Sequence, residues 1–340
     1  MPQTMQVMEL SGGFGLANLK PATRDVPAPG AGQVLVRMRA ASLNYRDTLV
    51  VQGGYGSRQR KSLVPLSDGA GEVAALGSGV TRFKVGARVV ASFFQGWISG
   101  EPTQEKFASS LGGGLDGVLA EYCVFDAEGL VPTPGYLSDE EAACVPCAGL
   151  TAWSAVVTQG DVRPGQVVLV QGTGGVSLFA LQFAKLCGAE VIATSSSDEK
   201  LARSKALGAD HLINYKTTPE WGKAARAITK GRGVDHVVEV GGAGTLKESI
   251  RAVKIGGTIS MIGVLAGPAN DLPVPLIVMQ NLRLQGVTVG SREGLEAMLT
   301  AMTRHGTKPV VDRVFPMKEA HAAFEHMTAA RHIGKIVVRI

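Results

Sequence analysis

No histidine precedes His211 in this 340-residue chain, and no cysteine precedes Cys123. The first third therefore lacks the imidazole and thiolate ligands from which tetrahedral zinc sites are usually built. Cysteine is scarce throughout: Cys123, Cys144, Cys147 and Cys187 are too few and too unevenly spaced for a disulfide framework. No apolar run reaches the roughly 18 residues that a membrane helix needs. The opening "MPQTMQVMELSGGFG" has neither the basic stretch nor the apolar block of a secretory signal. A cytoplasmic protein without a membrane partner is expected. Basic residues exceed acidic ones, 34 against 29, for a net charge of +5. They are dispersed, and the densest spots, "RQRK" at Arg58–Lys61 and the stretch Lys223–Arg232, carry no interleaved aromatics. No nucleic-acid surface is expected, while a modest positive field favours a polyphosphate ligand.

What the chain has in quantity is hydrophobic residues, 45%, and glycine, 44 residues. That mixture suits a compact protein with many tight turns, and the length suggests two domains. "CVPC" has CxxC spacing, but it sits in "SDEEAACVPCAGLTAWSAV", an amphipathic helical pattern opened by a Ser-x-x-Glu cap at Ser138 and Glu141. Buried small hydrophobes and a redox pair are both open readings of these cysteines.

The first 130 residues alternate short apolar segments with glycine turns, among them "QVLVRMRAASL" and "GARVVASF". They read as an irregular barrel-type β domain. From Ser138 the period changes. A helix is expected over residues 139–159. Strands are expected over 167–171, 190–194, 211–214, 236–240, 257–262 and 282–287, with helices between them. Such alternation builds a parallel sheet covered by helices. The last stretch reads as strand, helix, strand and is expected to return to the first domain. The division expected is 1–131 with 301–340, and 132–300.

"GTGGVS" at Gly172–Ser177 follows an apolar strand and opens an apolar-striped helix. In that setting it reads as a dinucleotide fingerprint. Gly172 permits the tight turn, Gly174 and Gly175 let backbone approach a pyrophosphate, and the helix N-terminus favours the negative charge. Thr173 and Val176 complete the turn. The third fingerprint glycine is replaced by Ser177. About 20 residues on, where an NAD site carries an acid for the ribose hydroxyls, stands "VIATSSSDEK". Ser195 occupies the acid's place. Hydroxyls at Ser195 and Ser196, with Lys200 one turn on, tolerate and pair with a 2′-phosphate, which favours NADPH over NADH. Ser196 and Glu199 also read as a capping box for the next helix.

These residues, together with "ASLNYRDTLVVQGGYG", "PLSDGAGEVAALGSGVTRFKVGARVV", "GGLDGVLAEYCVF", "AGLTAWSAV", "KALGADHLINY" and "GKIVV", span nearly the whole chain. In that order the chain resembles a zinc-independent medium-chain dehydrogenase/reductase close to the quinone oxidoreductases. The resemblance implies an α/β protein: a Rossmann doubly wound parallel sheet plus a GroES-like irregular β-barrel catalytic domain. Zinc members carry an early Cys and a Gly-His-Glu; here the first position falls within "LNYRD" and the second is Leu66-Ser67-Asp68. No zinc is expected. Asn44 and Tyr45 are implied as catalytic residues, with Asp47 holding the loop and Tyr55 nearby. The resemblance also implies cofactor contacts from Thr151, Tyr215, Val240, Gly241, Gly263, Val264, Gly290, Ser291 and Lys335, and a homodimer paired along the strand near 282–287. The implied activity is hydride transfer from NADPH to a quinone or an α,β-unsaturated carbonyl. A metal-independent NAD(P)-dependent alcohol dehydrogenase remains an alternative, as does a non-enzymatic NADPH-binding protein with nucleic-acid contacts.

Overall fold

The computed structural model describes residues 2–56, 59–263, 265 and 272–340. It divides into two compact units, Met1–Leu150 with Gly290–Ile340, and Thr151–Val289. These boundaries differ from the expected ones. Residues 132–150 and 290–300 go with the first unit, because the helical turn Asp139–Ala142 packs on strands of the first unit and helix Arg292–His305 on its strand Leu130–Pro132. No helix among the described residues is long and apolar enough to cross a membrane.

The first unit is built on a sheet whose strands run, side by side, Val311–Pro316, Lys335–Arg339, Gln33–Ser42, Asp68–Leu76, Arg88–Ala91 and Leu130–Pro132, with Tyr122–Asp126 also paired to Gln33–Ser42. A separate hairpin joins Thr4–Leu10 to Leu19–Asp25. The chain's last strand lies antiparallel to Gln33–Ser42, so the terminal segment does return to this unit. Gly71 is required by packing: a Cβ there would stand 2.3 Å from the Arg37 carbonyl. The core is aliphatic, drawn from Val34, Leu35, Val36, Leu119, Ile336 and Val338 among others.

The second unit holds a six-stranded sheet, parallel throughout. Its spatial order is His211–Asn214, Glu190–Ser195, Val167–Gln171, Val234–Glu239, Val253–Met261, Arg283–Gly286. In order of appearance that is 3-2-1-4-5-6, the doubly wound order, and the direction of winding reverses between the first strand and the fourth. The strands read as nearly unbroken apolar runs because both faces are covered; Val167–Gln171 is buried at every position. The helix expected over 139–159 is a helical run of changing pitch. Asp139–Ala142 and Leu150–Trp153 are α-helical, while Val145–Gly149 and Ser154–Thr158 are wide π turns. Pro146 lacks the N–H that a regular α-turn would use there. All four cysteines are free thiols. Burial pushes the Cys144 thiol up to about 12 and the Cys147 thiol up as well, which suits packing groups rather than a redox pair.

Candidate functional site

In the second unit the first strand ends at Gln171, and Gly172 turns with φ +72°, a conformation that side-chain-bearing residues resist. Gly174 is the N-cap of helix Gly175–Leu186 and offers no side chain to cap it. Nothing lies within 4 Å of where a Cβ would stand on Gly172 or Gly174. The turn thus presents open backbone and uncapped N–H groups at a helix N-terminus, an arrangement that fits a pyrophosphate. Thr173 is buried and Gly175 and Val176 are half-buried beside it. Ser177 explains the missing third glycine. Its hydroxyl donates to the Gln171 carbonyl at 2.6 Å and ties the helix to the strand it follows.

Ser195 ends the second strand with only 2% exposure, and Ser196 is half-buried after it. The expected capping box at Ser196 is displaced by one residue. Ser197 is the N-cap, accepting from the Lys200 N–H at 3.4 Å, because helix Asp198–Ala206 begins one residue later than the pattern suggested. This leaves the Ser196 hydroxyl uncommitted to the cap. Lys200 is half-buried and Tyr215 exposed, and the Tyr215 N–H donates to the Ser195 carbonyl at 3.0 Å.

At the fourth strand's end lies a network that the sequence reading missed. Glu239 is fully buried. Its carboxylate accepts from the N–H groups of Gly241 (2.8 Å) and Gly242 (3.0 Å), from Gln171 Nε2 (2.7 Å) and from the hydroxyls of Thr245 and Ser249. Gln171 Oε1 in turn accepts from the Val240 N–H at 3.2 Å. The side chain at the end of one strand therefore holds the turn after another. A glutamate inside "VVEV" was the available signal: it is a charge in an otherwise apolar central strand. Gly263 stands where a Cβ would fall 2.1 Å from the Val240 carbonyl, so the fifth strand's end closes on the same turn. Val264 lies outside the described residues. Thr151 is buried at the start of the second unit. Gly290 and Ser291 belong to the first unit, where the Ser291 hydroxyl caps helix Arg292–His305 by accepting from the Gly294 N–H at 3.1 Å.

In the first unit, helix Tyr45–Gln52 starts at Asn44. Asp47 holds the loop as expected, its Oδ2 accepting the Asn44 N–H at 2.7 Å. Burial pushes its carboxyl up to about 6, against the opposing pull of the Arg46 guanidinium. The Asn44 carboxamide is held at both ends. Its Nδ2 donates to Ser67 Oγ at 3.4 Å, and its Oδ1 accepts from the Lys335 ammonium. Lys335, read from the sequence as a pyrophosphate contact, is 3% exposed and spends two donors on Asn44 and on the Leu43 carbonyl at 2.6 Å. Its Nζ lies 4.0 Å from Asp68 Oδ2. Asp68 is fully buried and accepts from Ser67 Oγ at 2.7 Å and from the Cys147 N–H at 3.1 Å. Burial raises its carboxyl, with Lys335 opposing. Tyr45 and Tyr55 are exposed at 42% and 43%. The donor set does not fit zinc: around Asp68 stand a hydroxyl, a carboxamide and an ammonium. No group of three or more His, Cys, Asp or Glu among the described residues could hold a metal ion.

A doubly wound sheet with an open glycine turn at its reversal, in a chain that also holds a β-rich unit with a buried polar cluster, fits a nicotinamide-linked oxidoreductase. Residues 30–135 match the alcohol dehydrogenase GroES-like domain and residues 175–304 the zinc-binding dehydrogenase family. A zinc-type alcohol dehydrogenase-like protein of Schizosaccharomyces pombe is 44% identical over 333 residues, 96% of each chain. The crystal structure of an NAD-dependent alcohol dehydrogenase superposes with a TM-score of 0.91 at 37% identity, covering 99% of this chain and 100% of that one. A mycobacterial protein complexed with NADPH does so at 0.83 and 26% identity, covering 99% and 100%. The chain belongs to the medium-chain dehydrogenase/reductase superfamily and is an NAD(P)-dependent oxidoreductase of that group.

Proposed function

We propose that the protein reduces a quinone or an α,β-unsaturated carbonyl with NADPH, and does so without a metal. The observation that carries this reading is the buried cluster of the first unit. Where a zinc-dependent site would need thiolate and imidazole ligands, Asn44 and Asp68, linked through the Ser67 hydroxyl, face the Lys335 ammonium. A Lewis-acid route to alcohol oxidation has no ligand set to rest on. Reduction of an electron-poor conjugated acceptor needs orientation and hydrogen-bond donors instead.

A bound reduced nicotinamide supplies the hydride. The chain's own part is to hold it and to exclude water. The turn Gly172–Val176 cradles the pyrophosphate, and the turn at Val240–Gly241, fixed by Glu239, meets the ribose. Asn44, locked by Lys335 and Ser67, presents a carboxamide of fixed direction, and Tyr45 is exposed enough to meet a flat acceptor. Ser195, Ser196, Lys200 and Tyr215 form the 2′-phosphate subsite. On this reading Lys200→Ala raises the KM for NADPH more than that for NADH; equal effects on the two count against the subsite.

The deciding experiment compares steady-state turnover of 1,4-naphthoquinone, an enone and a secondary alcohol. Turnover of either of the first two with NADPH, unchanged by chelator, is expected. Alcohol oxidation that depends on added zinc overturns the reading. The alcohol dehydrogenase alternative draws its support from the relatives' descriptions, and the same assay decides it.

A homodimer is also proposed. Among the described residues, strand Arg283–Gly286 forms one edge of the parallel sheet, paired only to its inner neighbour. Helix Val274–Met279 beside it in sequence buries none of its residues, leaving Val278 and Met279 71% and 81% exposed. Pairing with a second copy covers both. Light scattering on Val278→Asp, Met279→Asp should show monomer.

A further inference from the structure

We propose that Arg46 is an oxyanion-binding residue, its guanidinium fork taking the acceptor's carbonyl oxygen as negative charge develops there. This deepens the reductase reading and rests on it for the identity of the oxygen.

Arg46 is the second residue of helix Tyr45–Gln52 and is 8% exposed. One nitrogen is accounted for. Nη1 donates to the Leu111 carbonyl at 3.0 Å and lies 3.9 Å from Asp47 Oδ1. Nε and Nη2 are sealed from solvent and make no hydrogen bond of ordinary geometry among the described residues; the Tyr55 hydroxyl interacts with the guanidinium only weakly. Those two N–H groups lie on one edge of the guanidinium and point the same way; together they are the fork that meets a planar oxyanion side-on. A buried donor left unpaired is destabilising, and more so on a charged group. A brace would be expected to spend its fork on the protein.

The faces of the guanidinium are used more fully than its edge. Its Cζ lies 4.7 Å from the Tyr55 ring centre and 4.6 Å from that of Phe93. These cation–π contacts compensate part of the lost hydration and fix the plane of the fork. Gly113 supplies the room. A Cβ there would stand 2.7 Å from Nη2, yet the residue's φ is not positive, so the space and not the turn asks for glycine. Entry requires a neighbour to give way. Tyr55 is the group placed to do so, being 43% exposed on a turn whose Gly53 and Gly56 have φ of +79° and +96°. Arginine keeps its charge at every working pH. It stands two residues from Asn44, in the unit whose donor set does not fit zinc.

The test uses cinnamate, a flat conjugated carboxylate, as a probe of the fork on the full chain with and without NADPH, by calorimetry. The wild type should bind it. Arg46→Met should weaken binding by about 10- to 100-fold without lowering the melting temperature. Arg46→Lys, which keeps the charge and loses the fork, should recover only part, and Gly113→Ala should weaken binding by crowding Nη2. In Arg46→Ala, millimolar guanidinium should restore turnover of the acceptor. Equal cinnamate affinity in wild type and Arg46→Met overturns the proposal, as does a variant that unfolds more readily while binding the probe as before. The two readings fail separately. Arg46-dependent cinnamate binding without any quinone or enone turnover removes the reductase reading and leaves the oxyanion site. Enone turnover with kcat unchanged in Arg46→Met does the reverse.

Discussion

The two units bury charge in opposite ways. In the parallel-sheet unit, Glu239 meets five donors and leaves nothing unspent. In the β-rich unit, Arg46 is buried almost as deeply, with two nitrogens that make no hydrogen bond of ordinary geometry among the described residues. A satisfied buried network specifies geometry, and its reward is rigidity of the turn that it holds. An unsatisfied one is stable only because the surrounding fold tolerates it, and such groups point to chemistry. The contrast separates a residue that builds a site from one that waits for something to enter it.

The contrast breaks most visibly at Glu239. Glu239→Ala strands the N–H groups of Gly241 and Gly242, the Gln171 amide and two hydroxyls, and should cost roughly 3–5 kcal/mol of stability in urea unfolding. Glu239→Gln, which keeps one acceptor oxygen, should cost less, while weakening NADPH binding through the loosened Val240–Gly241 turn. A Glu239→Ala protein as stable as the wild type would erase the distinction between the units.

A smaller effect sharpens the comparison from the first unit's side. The Asp47 carboxyl is held near 6 in the folded chain, above its unfolded value of 3.8. The folded state therefore binds this proton more tightly, so its stabilising contribution is full below about pH 4 and is lost as pH rises through 6. The stability of wild type relative to Asp47→Asn should fall by up to about 3 kcal/mol between pH 4 and 7. A flat difference would mean that Asp47 stays ionised beside Arg46. The smallest expected effect is at the glycine turn. Ser177→Ala removes the hydroxyl's bond to the Gln171 carbonyl, for about 1 kcal/mol in thermal unfolding, with dinucleotide affinity nearly unchanged.

The parallel sheet was legible because its inner strands are largely apolar runs alternating with helical stretches; Val167–Gln171 and His211–Asn214 came out at their observed ends. Helix Arg292–His305 was not assigned, although its cap Ser291 and its C-terminal Gly306, φ +63°, both carry the usual marks. In the site, the glycine turn was plain because local spacing encodes it. The partners of Lys335 were not legible, since Leu43 and Asn44 lie 292 and 291 residues away. Arg46 stood inside a quoted motif and went unweighed. How fully a buried arginine is satisfied depends on residues such as Leu111 and Gly113, and no periodicity announces them.

The strand Lys335–Arg339 lies between Val311–Pro316 and Gln33–Ser42. As the ribosome releases this chain, the parallel sheet between residues 151 and 289 is complete while the β-rich unit still lacks the strand that joins its two halves. The lysine that locks Asn44 emerges only after the whole of that sheet. Nascent chains stopped at Gly334 should therefore carry a protease-resistant middle and a loose beginning, so that the dinucleotide fold matures before the chemistry it serves.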